Sequence, residues 1–133
     1  MKSIKTFGLG LLATAALGAA LFASAPAHAD EPWIVLAVSQ SSGWEAIHAG
    51  NPYTAAVQSA VNFCNRKGYV TDCLVVAQGR GGCVAAATAG RRYGIWGAWA
   101  PTRDAAASAA LAQAGPGSRL AADCVGDPGL QGR

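Results

Sequence analysis

The sequence predicts an α+β fold: two ββαβ-like repeats forming a small antiparallel-sheet domain with two helices, stapled by disulfides. Three observations predict it. An offset of 50 residues sets Ala55-Ala56-Val57-Gln58-Ser59-Ala60 on Ala105-Ala106-Ala107-Ser108-Ala109-Ala110, and the apolar run 34–39 on the run 84–89. Within each half, short apolar runs and one helix-like segment are separated by Gly, Pro, Asn and Ser, the punctuation of strands and turns. Four cysteines, an even number, stand in a chain that begins like an exported one. Two units sharing one core suit a short chain, because each alone buries too little apolar surface.

Residues 1–29 read as a removable secretory signal. Lys2 and Lys5 make a positive start, residues 7–23 are apolar apart from Thr14 and three glycines, and Ala27-His28-Ala29 offers small residues at the positions a signal peptidase reads. Cleavage is expected between Ala29 and Asp30, because a cut after Ala25 would place Pro26 beside it. The competing reading is a retained anchor, but the run is shorter and richer in Ala and Gly than a typical span of about 20 residues. Removing 29 of 133 residues leaves 104, room for one domain over 30–125. Lys2 and Lys5 leave with the signal, so a net charge of +3 becomes eight basic against seven acidic residues, or +1. That balance lacks the electrostatic footprint of a nucleic-acid binder, and no stable membrane insertion is expected after cleavage. The expected location is extracellular or the cell envelope.

In the first half, 34–38 is a continuous apolar run and predicts a buried strand. Gln40-Ser41-Ser42-Gly43 turns the chain into a second strand over 44–48. Asn51 and Pro52 open a helix, as N-cap and first helical residue. Val57, Ala60, Val61 and Cys64 then share one apolar face. Gly68 stops the helix as its left-handed residue, and 69–77 forms the third strand. Gly79-Arg80-Gly81-Gly82 reverses the chain between repeats. In the second half, 83–89 is a strand, Gly90-Arg91-Arg92 a turn and 93–99 a strand. Thr102 caps a helix over 103–114, with Asp104 in the first turn favourable to its dipole. Gly115-Pro116-Gly117 ends it, and 119–125 returns as the last strand. Residues 126–133, rich in Gly, are expected to be a flexible tail.

Four cysteines allow three pairings. Cys64 ends the first helix and Cys73 sits on the strand that follows it, so a tight helix-to-strand return makes Cys64–Cys73 the expected pair, at a contribution of about 3 kcal/mol. Cys83–Cys124 then ties the first and last strands of the second repeat, worth about 4 kcal/mol in the same loop-entropy account. The alternatives are a zinc site or a reactive thiol. No pair shows C-x-x-C spacing and His48 is the mature chain's one imidazole, so no metal and no cofactor are expected.

Cys64, Cys73-Leu74-Val75-Val76 and Cys83-Val84-Ala85-Ala86, with the Thr102-Arg103 helix start and the late Cys124, resemble a block of the domain of unknown function 4189 family. The resemblance covers 34 to about 125 and is strongest to small secreted mycobacterial members. It implies the same two disulfides and a secreted domain, and it brings no catalytic motif. The chain departs from many members at its first strand, where Trp33-Ile34-Val35-Leu36-Ala37 replaces an aromatic-Gly-Ala-Ile-Ala stretch, and at Ala114, where broader members carry a cysteine.

Three functions stay open. The first is an interaction module, with a host or envelope protein as partner. The second is carbohydrate or cell-wall binding through an exposed tryptophan. Strand alternation sets Tyr93, Ile95, Gly97 and Trp99 on one face and Trp96 on the other, so Trp96 is the named contact, with Arg91 and Arg92 beside it in the turn. The third is a small enzyme, with His48, Glu45, Asp72 and Asp104 as acid–base candidates. His48 and Glu45 fall on opposite strand faces and are not partners, and His48 reads as a solvated strand-end residue.

Overall fold

Strand alternation within a twice-repeated unit organises the whole domain. The structure, a computed structural model, describes residues 31–89, 94–128 and 130. The expected cleavage point at Ala29 and Asp30, and the turn holding Arg91 and Arg92, lie outside the described residues. Elements run β1 (Trp33–Val38), β2 (Glu45–Gly50), α1 (Tyr53–Gly68), β3 (Leu74–Arg80), β4 (Cys83–Thr88), β5 (Ile95–Ala100), α2 (Arg103–Ala114) and β6 (Arg119–Cys124). They pair as two antiparallel three-stranded sheets, in the orders β2-β1-β3 and β5-β4-β6. Elements β1, β2 and α1 recur as β4, β5 and α2, each beginning 50 residues later. The α+β repeat architecture is therefore as the sequence predicts.

The sheets stack face to face, with a helix outside each. Ile34, Leu36 and Val38 of β1 meet Val84 and Ala86 of β4 between the sheets, joined by Ile47, Ala77 and Ile95. Val35 and Ala37 point the other way, onto Ala56, Ala60 and Cys64 of α1. Likewise Cys83, Ala85 and Ala87 of β4 pack on Ala106 and Ala110 of α2. The central strands are buried on both faces, which is why they read as unbroken apolar runs. Burying each of Ile34, Leu36 and Ile47 stabilises the fold by about 1.5–3 kcal/mol. The layer under α2 is alanine on alanine and contributes far less per residue.

Both disulfides form as expected: Cys64–Cys73, and Cys83–Cys124 directly across β4 and β6 with their Cα atoms 3.9 Å apart. The second helix matches its prediction residue for residue, with the Thr102 hydroxyl accepting from the Ala105 N–H at 3.3 Å. The first helix differs at both ends. Pro52, not Asn51, is its N-cap, with an extended ψ of 177° and no side-chain cap; the Pro52 carbonyl accepts from Ala55 and Ala56. At the other end Tyr69 takes the left-handed conformation, φ 52°. Gly68 stays helical, and its missing side chain makes room for Trp44: a Cβ there would lie 3.0 Å from the indole. Strand β3 starts at Leu74 rather than 69. The Cys73 N–H is bound by Asn65 Oδ1 at 3.0 Å, and the disulfide holds the same residue to α1, so the preceding segment follows the helix end and not the sheet.

The segment after β6 begins anchored. Asp127 accepts from the Cys124 N–H at 2.8 Å and pairs with Arg103 at 2.6 Å, while Leu130 is buried in the inter-sheet core. A carboxylate in reach of both a strand-end amide and a guanidinium is a tether that glycine content does not reveal.

Candidate functional site

The turn before β2 builds the site. Ser39, fully buried, donates to Asp72 at 2.6 Å and accepts from the Ser42 N–H at 3.2 Å, while the Ser39 N–H reaches the Trp44 carbonyl at 2.8 Å. The Ser39 and Ser41 hydrogen bonds hold the Asp72 carboxyl below the usual carboxylate range. Gly43, at φ 77°, completes the turn in a region that an L side chain resists. This framework delivers Trp44 to the surface, 46% exposed, at the head of β2.

Beyond Trp44, alternation divides β2. Glu45 and Ile47 face the other sheet, and Ala46 and His48 face α1. Opposite them, β6 sends Arg119, Ala121 and Asp123 into the same inter-sheet layer. The result is a cleft of about 370 Å³ lined by Trp44, Glu45, Ile47, Arg119, Ala121 and Asp123. Asp123 is only 3% exposed. Burial pushes the Glu45 carboxyl up; Arg119 pulls it back and the Asp123 charge raises it further. Glu45 and Asp123 bring carboxyl oxygens and Arg119 donates, beside an indole face. That set suits a ligand carrying both polar groups and an apolar face.

At the opposite edge, β3 lies over β5. The cavity there, about 500 Å³, is lined by 75–78 of β3, 97–99 of β5 and Tyr53, whose hydroxyl donates to Gln78. Trp99 is half-buried on this side, its indole N–H on the Gly81 carbonyl at 2.8 Å. Trp96 points the other way and is 37% exposed, the division that alternation predicts. It is not part of the Trp44 cleft.

His48 departs from expectation. Strand β2 continues to Gly50, so His48 lies inside the strand, 9% exposed, with its ring 5.4 Å from that of Phe63 on α1. Burial and the Arg66 charge push the imidazole pKa down. Glu45 and His48 do face opposite ways. Sequence reasoning missed Arg119 and Asp123, although alternation from Cys124, which faces α2, turns Asp123 inward. Among the described residues, no three His, Cys, Asp or Glu side chains converge as metal ligands, and no helix is long and apolar enough to cross a membrane.

A family model described as Domain of unknown function (DUF4189) matches residues 33–125. No curated protein and no solved structure matches the chain.

Proposed function

We propose a function from the premise that this chain belongs to the DUF4189 family, whose description assigns no activity. The protein is exported, of the small secreted mycobacterial kind, and serves as a recognition module at or outside the cell envelope. It holds a host or envelope partner at the cleft between β2 and β6. The observation that carries this reading is Glu45, Arg119 and Asp123 turned between the sheets, at a cleft whose opening is rimmed by the exposed Trp44. The two disulfides support an oxidising compartment.

The test is co-sedimentation of the oxidised protein with isolated envelope and host-membrane fractions. The wild type pellets, and Trp44→Ala with Glu45→Gln stays in solution while keeping a native circular dichroism spectrum. Equal pelleting of both would overturn the reading. Sequencing the amino terminus of protein from culture medium checks export, and the expected first residue is Asp30.

A second reading is favoured by Trp44 itself. A half-exposed indole beside a carboxylate pair and a guanidinium is the arrangement that stacks a sugar ring and binds its hydroxyls. Soluble cell-wall oligosaccharides would then shift tryptophan fluorescence in the wild type and not in Trp44→Ala. Trp96, on the other edge of the stacked sheets, is a separate contact, and Trp96→Ala leaves that signal intact.

A further inference from the structure

On the opposite face of β2 lies another cavity, separate from the cleft. Its volume is about 530 Å³, and its walls are His48 of β2 with Ser59, Asn62, Asn65 and Arg66 of α1. Ser59, Asn62 and Arg66 recur at three- and four-residue steps, one stripe of the helix. Nε2 of His48 is buried and has no hydrogen-bond partner among the described residues. A buried ring nitrogen in that state calls for a group that visits it. The Asn65 Oδ1 is committed to the Cys73 N–H, which leaves the Asn65 amide NH₂ as a donor. Every wall side chain can therefore donate a hydrogen bond, and the one formal charge among them is positive. The Arg66 guanidinium and Lys67 ammonium lie 5.8 and 5.6 Å from the Phe63 ring centre, the same ring that lies tilted against His48. These two cations cover the negative pole of α1, which would otherwise oppose an anion.

We propose that this cavity is a binding site for a phosphoryl oxyanion. Arg66 supplies the charge, Ser59, Asn62 and Asn65 orient the oxygens, and His48 donates from Nε2 when the anion is present. Arg66 is the charged group of α1 whose field acts on His48, with Lys67 on the neighbouring Phe63 ring. An anion placed among them reverses the field on the imidazole and favours its protonated form.

The test follows the His48 ring by ¹⁵N nuclear magnetic resonance in the oxidised full-length protein as inorganic phosphate is added. Saturable shifts at Nε2 and a higher His48 titration midpoint with phosphate are expected. In Arg66→Gln the apparent affinity falls about tenfold or more, and Ser59→Ala, a surface change, weakens it less. A phosphate-independent His48 midpoint, or an unchanged response in Arg66→Gln, would overturn the proposal. Vesicles separate the sources. Sedimentation with phosphatidylglycerol but not phosphatidylcholine vesicles, competed by phosphate, identifies a lipid headgroup. Phosphate binding without vesicle binding identifies a free phosphorylated ligand.

Discussion

Trp33 faces Arg80 across β1 and β3, and at the same place in the second repeat Cys83 faces Cys124 across β4 and β6. In the first repeat the guanidinium sits 5.3 Å from the indole centre; in the second a disulfide closes the pair. One site in one fold is clamped by two different forces, and the packing beside each explains the choice. Helix α1 brings Tyr53, Val57, Val61 and Phe63 to its sheet, so a cation–π contact suffices there. Helix α2 brings mostly alanine, and its sheet depends on sulfur. The first repeat's own disulfide does a different job, tying the helix end to the segment that leads into β3. Cys73 and Cys124 fall nearly in register by sequence yet are not equivalent in the fold, since Cys73 precedes its strand and Cys124 ends its own.

Six variants probe that contrast. Replacing Cys83 and Cys124 together by serine is expected to cost about 4 kcal/mol, against about 3 kcal/mol for Cys64 and Cys73. Thermal melts of the two double variants check the order, and the reverse order would remove the claim that the second repeat leans harder on its bridge. Gly79→Ala drives a Cβ to within 2.2 Å of the Trp99 indole, whereas Gly50→Ala meets nothing within 4 Å. Urea unfolding should show about 1–3 kcal/mol lost for the first and little change for the second. Arg80→Ala removes the cation–π clamp and should cost about 0.5–1 kcal/mol, well under its disulfide counterpart. His48→Gln addresses pH. The folded imidazole is held below its ordinary value, so its contribution is full above about pH 6.5 and is lost as pH falls through the folded value. The variant's stability should therefore decline less on mild acidification than that of the wild type.

Much of the fold was legible because local signals agreed with the tertiary outcome. Thr102 and Gly115 bracket α2, and the unbroken apolar runs of β1 and β4 announce strands buried on both faces. Where a long-range partner decides, the sequence was silent. Cys64 and Asn65 draw Cys73 out of the sheet, so β3 begins late. Trp44 claims the space beside Gly68, so the left-handed role passes to Tyr69. The stacking of the two sheets follows from the doubly buried strands, but which charged residues it brings together does not. Glu45 and Asp123 are 78 positions apart and meet because β2 and β6 share one edge. His48 was misplaced for a simpler reason: two further residues of β2 turn a strand end into a strand interior.

The two edges of the stacked sheets supply the functional side of the comparison. Position 45 is glutamate, and its counterpart 50 residues on, Ile95, is a buried core residue. The account holds that Glu45 is kept for recognition at the expense of stability, and melting the wild type and Glu45→Gln from about pH 4 to about pH 8 tests this directly. The folded Glu45 pKa is raised, so the stability it supports is full below its unfolded value and is lost as pH rises through the folded value. The account predicts that Glu45→Gln melts higher than the wild type at neutral pH and that the gap closes on acidification. A variant that melts lower at neutral pH would make Glu45 a structural partner of Arg119 and contradict it.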